Sequence, residues 1–76
     1  MIEELDRIVL KSDLPEQGLQ RGDVGTVVMV HRGGEGFEVE FLTLAGETLA
    51  VVTLDAAQVR PIRAREVNHA RLVATT

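Results

Sequence analysis

Residues 37–41 read FEVEF, and this short stretch determines the type of fold that the chain can adopt. Hydrophobic and acidic side chains alternate across it without a break. In a β-strand successive side chains point to opposite faces, so the two rings and the valine would face a core, while Glu38 and Glu40 would face water. Residues 33–35 (GGE) precede it and mark a hairpin turn. We therefore predict a half-buried strand that follows a tight turn.

The segments on either side of this strand predict four more short strands. Each is a run of β-branched or other aliphatic residues bounded by turn residues, which is typical of strands in small all-β domains. They lie at residues 7–10, 26–30, 48–54 and 59–62. Pro61 has no amide hydrogen to donate, so it restricts the last of these strands to the edge of a sheet.

The connections between these strands complete the prediction of the fold. Residues 12–23 contain a proline and two glycines and indicate a long ordered loop, whereas residues 55–59 suit one turn of 3₁₀ helix. Five short strands with these connections predict an all-β domain, an SH3-like five-stranded barrel over residues 1–62. Residues 63–76 form a C-terminal tail, which could be a short helix, an added strand or a frayed end.

The composition limits the chain to one small domain. At 76 residues with no cysteine, it can form one modest core and has neither a disulfide framework nor a thiolate metal site. The start, MIEELDRIVLK, lacks the basic region and apolar run of a secretory signal. No stretch approaches the roughly 18 apolar residues of a membrane span. We therefore expect a cytoplasmic protein with no membrane partner.

The charge is distributed unevenly along the chain. Residues 1–60 carry five Lys/Arg against eleven Asp/Glu, a net charge of −6, whereas residues 61–76 carry three arginines against one glutamate, a net charge of +2. Nucleic-acid affinity comes largely from phosphates that basic side chains neutralise, so the acidic body argues against a nucleic-acid partner. Only the tail could act as a basic handle.

The glycine-rich stretch RGDVGTVV at residues 21–28 does not match a phosphate-binding loop. A P-loop needs Gly-x₄-Gly-Lys-Ser/Thr between a strand and a helix, but no lysine follows Lys11, and strand residues follow the glycine. We assign Gly22 to a permissive turn that ends the loop. Gly25 would let the next strand bend sharply or pass close to another backbone. Both glycines are therefore predicted to be structural.

Several of these segments together resemble a family of small bacterial proteins. They are DLPEQGLQRGDVGTVV (13–28), FEVEF (37–41) and LAVVTLDAAQVRPI (49–62), preceded by Leu5-Asp6. They are similar to the family catalogued as domain of unknown function 4926, over residues 4–62. The resemblance implies an SH3-like barrel and a bacterial source, and it implies no catalytic activity. More distantly, the loop and its glycines resemble the KOW motif of ribosomal and transcription-factor barrels, and small barrel subunits of photosynthetic complexes.

The ionisable residues form no recognisable catalytic or metal-binding pattern. His31 and His69 are the only histidines, and neither has a second ligand at a suitable spacing. Glu38 and Glu40 share one strand face at about 6–7 Å, but an open face offers no cleft that would raise the pKa of one carboxyl group. We therefore predict a protein that is not an enzyme and has no catalytic residue, no cofactor and no metal.

Two stretches could form an interaction surface. In the first loop, Leu14 and Leu19 either cover the mouth of the barrel or face a partner. In the strand at 48–54, Leu49 and Val51 point away from the side that a single core can use. The tail, a second chain or a partner protein must therefore cover them. Coverage by an identical patch predicts a homodimer. With the acidic pair, the candidate interaction surface comprises Leu14, Leu19, Glu38, Glu40, Leu49 and Val51.

These observations favour a non-enzymatic protein-interaction module with an unidentified protein partner. An antitoxin- or immunity-like role is one version of this hypothesis, because a short acidic chain could neutralise a basic enzyme surface. Two alternatives stay open: a small accessory subunit of a larger enzyme, and a KOW-like nucleic-acid-associated barrel. The second alternative would use the arginines Arg60, Arg63, Arg65 and Arg71.

Overall fold

The computed structural model of the protein describes residues 1–73, and its strands lie where the sequence predicts them. They are β1 (Arg7–Leu10), β2 (Val24–His31), β3 (Gly36–Leu42), β4 (Thr48–Asp55) and β5 (Val59–Pro61). One-turn 3₁₀ helices at Pro15–Gln17 and Ala56–Gln58 lie in the first loop and before β5. The predicted all-β class, the five strands, the long first loop and the late 3₁₀ turn are confirmed.

The five strands form one antiparallel, barrel-like sheet in the order β4-β3-β2-β1-β5. Two register shifts interrupt the ladders: Val28 is an extra residue on β2 opposite β3, and Leu49 is an extra residue on β4 opposite β3. Such bulges bend a strand and increase its twist, which helps a small sheet wrap around its own core. Within residues 1–73 no ladder joins β4 to β5, so both are edge strands.

The core lies on the concave side of this sheet and follows the alternation of β3. Phe37, Val39 and Phe41 are 2%, 0% and 1% exposed. Every strand contributes at least one buried aliphatic or aromatic side chain, and the first loop adds one more. The cluster comprises Ile8, Leu10, Leu19, Val27, Phe37, Val39, Phe41, Leu54 and Val59. The alternate side chains of each strand point away from this core and form the outer face, which on β3 carries Glu38 and Glu40.

The two glycines assigned to structure have different physical reasons. Gly22 has φ of 97°, and its N–H donates to the Leu10 carbonyl at 2.8 Å, so the permissive turn is confirmed. Gly25 lies in ladder register with Ile8, and the register shift of β2 lies further along the strand. A Cβ at Gly25 would lie 2.5 Å from Val39 Cγ1, 2.9 Å from Phe41 Cε1 and 3.1 Å from the Glu40 carbonyl oxygen. Gly25 therefore makes room for core side chains as well as for backbone, rather than allowing a bend.

The first loop closes the core, which corrects the inclusion of Leu19 in an interaction surface. The backbones of Leu14 and Leu19 hydrogen-bond to each other in both directions, at 2.9 and 3.1 Å. This bridge folds the loop back on itself around its 3₁₀ turn. Leu19 is 3% exposed, and half-buried Leu14 packs against the core. So small a domain needs these apolar contacts, so the loop acts as a lid.

The tail begins where β5 ends, at Pro61, and residues 62–73 form neither a helix nor a strand. Of the three predicted conformations, a helix and an added strand are therefore absent from this part of the tail. The last part of that prediction, residues 74–76, lies outside the described residues.

Candidate interaction surface

The outer face of β2, β3 and β4 carries the acidic pair at its centre. Glu38 lies in register with Met29 on β2 and with Thr53 on β4, and Glu40 lies in register with Thr26 and Val51. Both glutamates are half-buried, because each has a strand on either side. The alternation that buries the rings of β3 therefore places two carboxylates, two residues apart on the same strand, in the middle of this face.

Neighbouring side chains hold both carboxylates in place. The Thr53 hydroxyl donates to Glu38 Oε2 at 2.7 Å, and His31 Nε2 lies 2.8 Å from the same oxygen. The Thr48 hydroxyl donates to Glu40 Oε2 at 2.8 Å. The hydrogen bond from Thr53, followed by the one from His31, lowers the pKa of Glu38 below its ordinary value. Glu38 is therefore a fixed negative charge on this face at neutral pH.

Aliphatic side chains border the acidic pair on the side of β4. Val51 is 56% exposed, Leu42 is 45% exposed and Leu49 is 36% exposed. The alternate residues of β4 point the other way: Ala50 and Val52 pack against the core, in which Leu54 is buried. The predicted split of this strand into two apolar rows is thus present, and only one row reaches the core. We call Leu42, Leu49 and Val51 the β4 patch.

The patch lies beside an unprotected sheet edge. β4 pairs with β3 alone among the described residues, and Thr48–Leu54 contains no charge, proline or glycine. The other edge strand, β5, has three residues and ends in Pro61. Natural edge strands are usually short, charged or interrupted, because an exposed row of amides and carbonyls pairs readily with another strand. The central residues of β4, 50–54, have none of these protections, which occur only at the ends of the strand, where Leu49 has no partner on β3 and Asp55 is charged.

Two apolar side chains of the tail that could have covered the β4 patch face solvent instead. Val67 and Leu72 are 91% and 97% exposed. Arg71 instead reaches Asp23 at the start of β2, with Nε to Oδ1 at 2.9 Å and Nη2 to Oδ2 at 2.6 Å, and it also donates to the Gly18 carbonyl at 3.1 Å. The tail is thus attached to the first loop and to the residue that precedes β2.

The ion pair of Arg71 and Asp23 should stabilise the domain in a pH-dependent way. Burial raises the pKa of Asp23, but the hydrogen bonds from Arg71 and from the Gln20 N–H, together with the charge of Arg71, lower it overall. Since folding lowers this pKa, the stabilisation is complete above the unfolded value of about 3.9 and is lost as the pH falls through the folded value. We expect Arg71→Gln to lower the free energy of unfolding by about 1–2 kcal/mol at pH 7.

Urea unfolding of the wild type and of Arg71→Gln, from pH 7 down to pH 2, checks this expectation. The difference between the two proteins should shrink below pH 4. Arg65→Gln removes the same charge from an exposed tail residue and should change stability by less than about 0.5 kcal/mol. A difference between wild type and Arg71→Gln that stays constant across this pH range would contradict the assignment.

Sequence reasoning missed three of these contacts. The spacing of the histidines gave no partner for His31, yet its Nε2 lies 2.8 Å from Glu38 Oε2. The pairs Arg71–Asp23 and Arg60–Glu66 join residues 48 and six positions apart. No helical or strand periodicity connects the partners of either pair. Within residues 1–73 no group of three or more metal-ligating side chains occurs, and no helix has the length and apolar character to cross a membrane.

Comparison with known proteins identifies the family. The model of the family described as Domain of unknown function (DUF4926) matches residues 4–61. The chain belongs to this family. The resemblance seen in the loop and strand segments is thereby confirmed over nearly the same span. Neither a curated protein nor a solved structure matches the chain. The function of this DUF4926 member must therefore be argued from its surface.

Proposed function

We propose that this DUF4926 protein is a non-enzymatic protein-interaction module of the bacterial cytoplasm. The observation that carries the proposal is the β4 patch, an aliphatic surface beside an unprotected edge strand. Its three side chains are between 36% and 56% exposed. Exposed apolar side chains grouped beside an open sheet edge favour association with another chain, because burial removes them from water and the edge can accept a further strand.

The charge of the same face indicates the chemistry of the partner. Among the described residues, no hydrogen bond reaches Oε1 of Glu38 or of Glu40, so both oxygens can accept from arginine or lysine. Residues 1–60, which form the sheet, carry a net charge of −6. Such a surface complements a basic one and speeds encounter with it. An antitoxin- or immunity-like role, in which the module covers a basic enzyme surface, is the version of the proposal that uses both features.

The KOW-like alternative receives less support from the arrangement of the arginines. Arg60 forms an ion pair with Glu66, with Nη2 to Oε2 at 2.6 Å, and Arg71 forms one with Asp23. Two of the four arginines on which a nucleic-acid interface would depend are therefore neutralised. Since phosphate contacts supply most of the affinity for nucleic acid, we expect no micromolar binding of RNA or duplex DNA at physiological salt.

Site-specific photo-crosslinking in cells that naturally make the protein tests the proposal. A benzophenone amino acid at Val51 should give adducts that contain a second protein with a basic surface. Nuclease should leave the mass of these adducts unchanged, whereas protease should remove the added mass. The same amino acid at Val67 is the matched control, since this valine is 91% exposed on the arginine-bearing tail. It should give far less protein adduct.

Three outcomes would overturn the proposal. Adducts from Val51 that contain only a second copy of the chain would mean that the β4 patch serves self-association and binds no other protein. Nuclease-sensitive adducts from Val67 would favour the nucleic-acid alternative. Equal protein adducts from both positions would mean that the β4 patch is no more than exposed surface.

A further inference from the structure

A groove between β1, β5 and the turn at Gly22 gathers half of the basic residues of the chain. It has a volume of about 360 Å³. The chain contains only eight Lys/Arg residues and has a net charge of −4. No acidic residue lines the groove, whose lining residues are Val9, Leu10, Lys11, Arg21, Gly22, Arg60 and Arg63. A basic groove on an acidic protein concentrates small anions.

A carboxylate from the tail, which does not itself line the groove, is bound to one of the arginines that do. Arg60 donates from Nη1 to Glu66 Oε1 at 2.8 Å and from Nη2 to Oε2 at 2.6 Å, and the Arg63 N–H donates to Oε1 at 2.7 Å. The hydrogen bonds from Arg60 are the largest influence on the pKa of Glu66, which is lowered to about 2. This two-pronged contact is the one that arginine makes with carboxylates and phosphates alike.

The other cations of the groove have no such partner. Within residues 1–73, no carboxylate forms an ion pair with the side chains of Lys11, Arg21 or Arg63. Positive groups that line one groove repel each other, so a bound anion of more than one charge would relieve this repulsion. A long polyanion would also meet the acidic body around the groove. The volume of the groove falls within the range of small-molecule sites.

We infer that the groove binds a small ligand with at least two oxyanion groups. One group replaces the Glu66 carboxylate on the Arg60 fork, and the other faces Lys11, Arg21 and Arg63. Glu66 is an internal competitor, whose release reduces the apparent affinity for the ligand. The site is lined by residues of β1, β5 and the neighbouring loops and by none of the β4 patch, so it stands or falls independently of the proposed protein interaction.

Titration of the ¹⁵N-labelled protein with pyrophosphate, followed by NMR, tests the inference. We expect saturable shifts of the amide signals of Lys11, Arg21 and Gly22. Glu66→Gln should bind pyrophosphate about tenfold more tightly than the wild type, because it removes the internal competitor. Glu35→Gln makes the same change of net charge at an exposed turn and should bind like the wild type.

The cationic partners are tested in the same way. Arg63→Gln should weaken binding about tenfold, whereas Arg32→Gln, which removes an exposed arginine from the β2–β3 turn, should not. Saturable binding of succinate as well as pyrophosphate would place dicarboxylates in the ligand class, and binding of pyrophosphate alone would restrict the class to phosphates. Shifts that do not saturate, equal affinities of Glu66→Gln and wild type, or equal losses in the two arginine variants would each overturn the inference.

Discussion

Gly25→Val is expected to lower the free energy of unfolding by about 3 kcal/mol, the upper end of the usual cost of overpacking a core. Its Cβ alone would lie 2.5 Å from Val39 Cγ1 and 2.9 Å from Phe41 Cε1, and these two side chains are 0% and 1% exposed. Buried groups cannot move aside without disturbing their neighbours, because protein interiors are close-packed. For a domain of this size, the loss corresponds to a fall in Tm of more than about 10 °C.

Thermal and urea unfolding of three proteins checks this result. Gly25→Ala introduces only the Cβ and should cost less than the valine variant, about 1–2 kcal/mol. Thr26→Val is the matched control, because it introduces valine at the next residue of β2, on the outer face, without adding volume. It should change stability by about 0.5 kcal/mol or less. An unchanged midpoint for Gly25→Val would show that the core accommodates the side chain.

A double-mutant cycle identifies the cause of the loss. Val39→Ala removes the methyl group nearest to the new Cβ, although it also leaves a cavity when Gly25 is present. In combination with Gly25→Ala, the new side chain should fill part of that space. The double variant should therefore be more stable than the sum of the single losses implies, by about 1 kcal/mol. Simple additivity would mean that the Phe41 ring or the Glu40 carbonyl, rather than Val39, excludes a larger residue.

Much of the fold could be predicted because its signals are local. The alternation at 37–41 depends only on the two-residue period of a strand, and it correctly assigned both the buried row and the acidic row. Pro61 placed the last strand at a sheet edge from its missing amide hydrogen. Even the division of β4 into two apolar rows followed from the same period, since only one face of a strand can meet a single core.

The remaining features depend on contacts between distant parts of the chain. The sequence allowed either a bend at Gly25 or a close approach to another backbone, and only the packing of β3 against β2 shows that core side chains lie over it as well. From the sequence, Leu19 could either cover the core or face a partner. Its backbone bridge to Leu14 folds the loop so that Leu19 covers the core. The attachment of the tail rests on Arg71 and Asp23, whose pairing has no sequence signature. Long-range ion pairs and close packing therefore account for most of what the sequence left open.

In the absence of its partner protein, the purified wild-type chain is expected to sediment as a dimer, at about twice the 8.3 kDa of one chain, because the β4 edge that the partner would occupy is then open. An identical β4 strand is a suitable occupant for the open edge, because antiparallel pairing about a two-fold axis satisfies both rows of amides and carbonyls. The pairing would join two sheets into one and bring two copies of the β4 patch together. Burial of a side chain such as Leu49 or Val51 contributes up to about 1.5–3 kcal/mol, and part of this gain remains to be made because both are only partly covered.

A charge at the centre of the patch should separate the two chains. Val51→Glu places a carboxylate in register with Glu40 and close to the same groups of the second copy, so we expect a monomer at concentrations where the wild type is a dimer. Val51→Lys also places a charge at the sheet edge, but this positive charge can pair with Glu40 within its own chain. The lysine variant should also be monomeric, but its free energy of unfolding should be higher than that of Val51→Glu. A variant that is folded and monomeric shows that association, rather than folding, was lost.

The tail provides the matched control for this experiment. Val67→Glu makes the same substitution at a residue of the tail that is 91% exposed, outside the β4 patch, so the variant should remain a dimer. Sedimentation of all four proteins over the same range of concentrations distinguishes the possible interfaces. Wild type that sediments at 8.3 kDa throughout would show that the β4 edge does not pair with itself. Dissociation by Val67→Glu alone would assign the interface to the tail. Dissociation by both Val51 variants but not by Val67→Glu is the result that the open edge and its aliphatic row require.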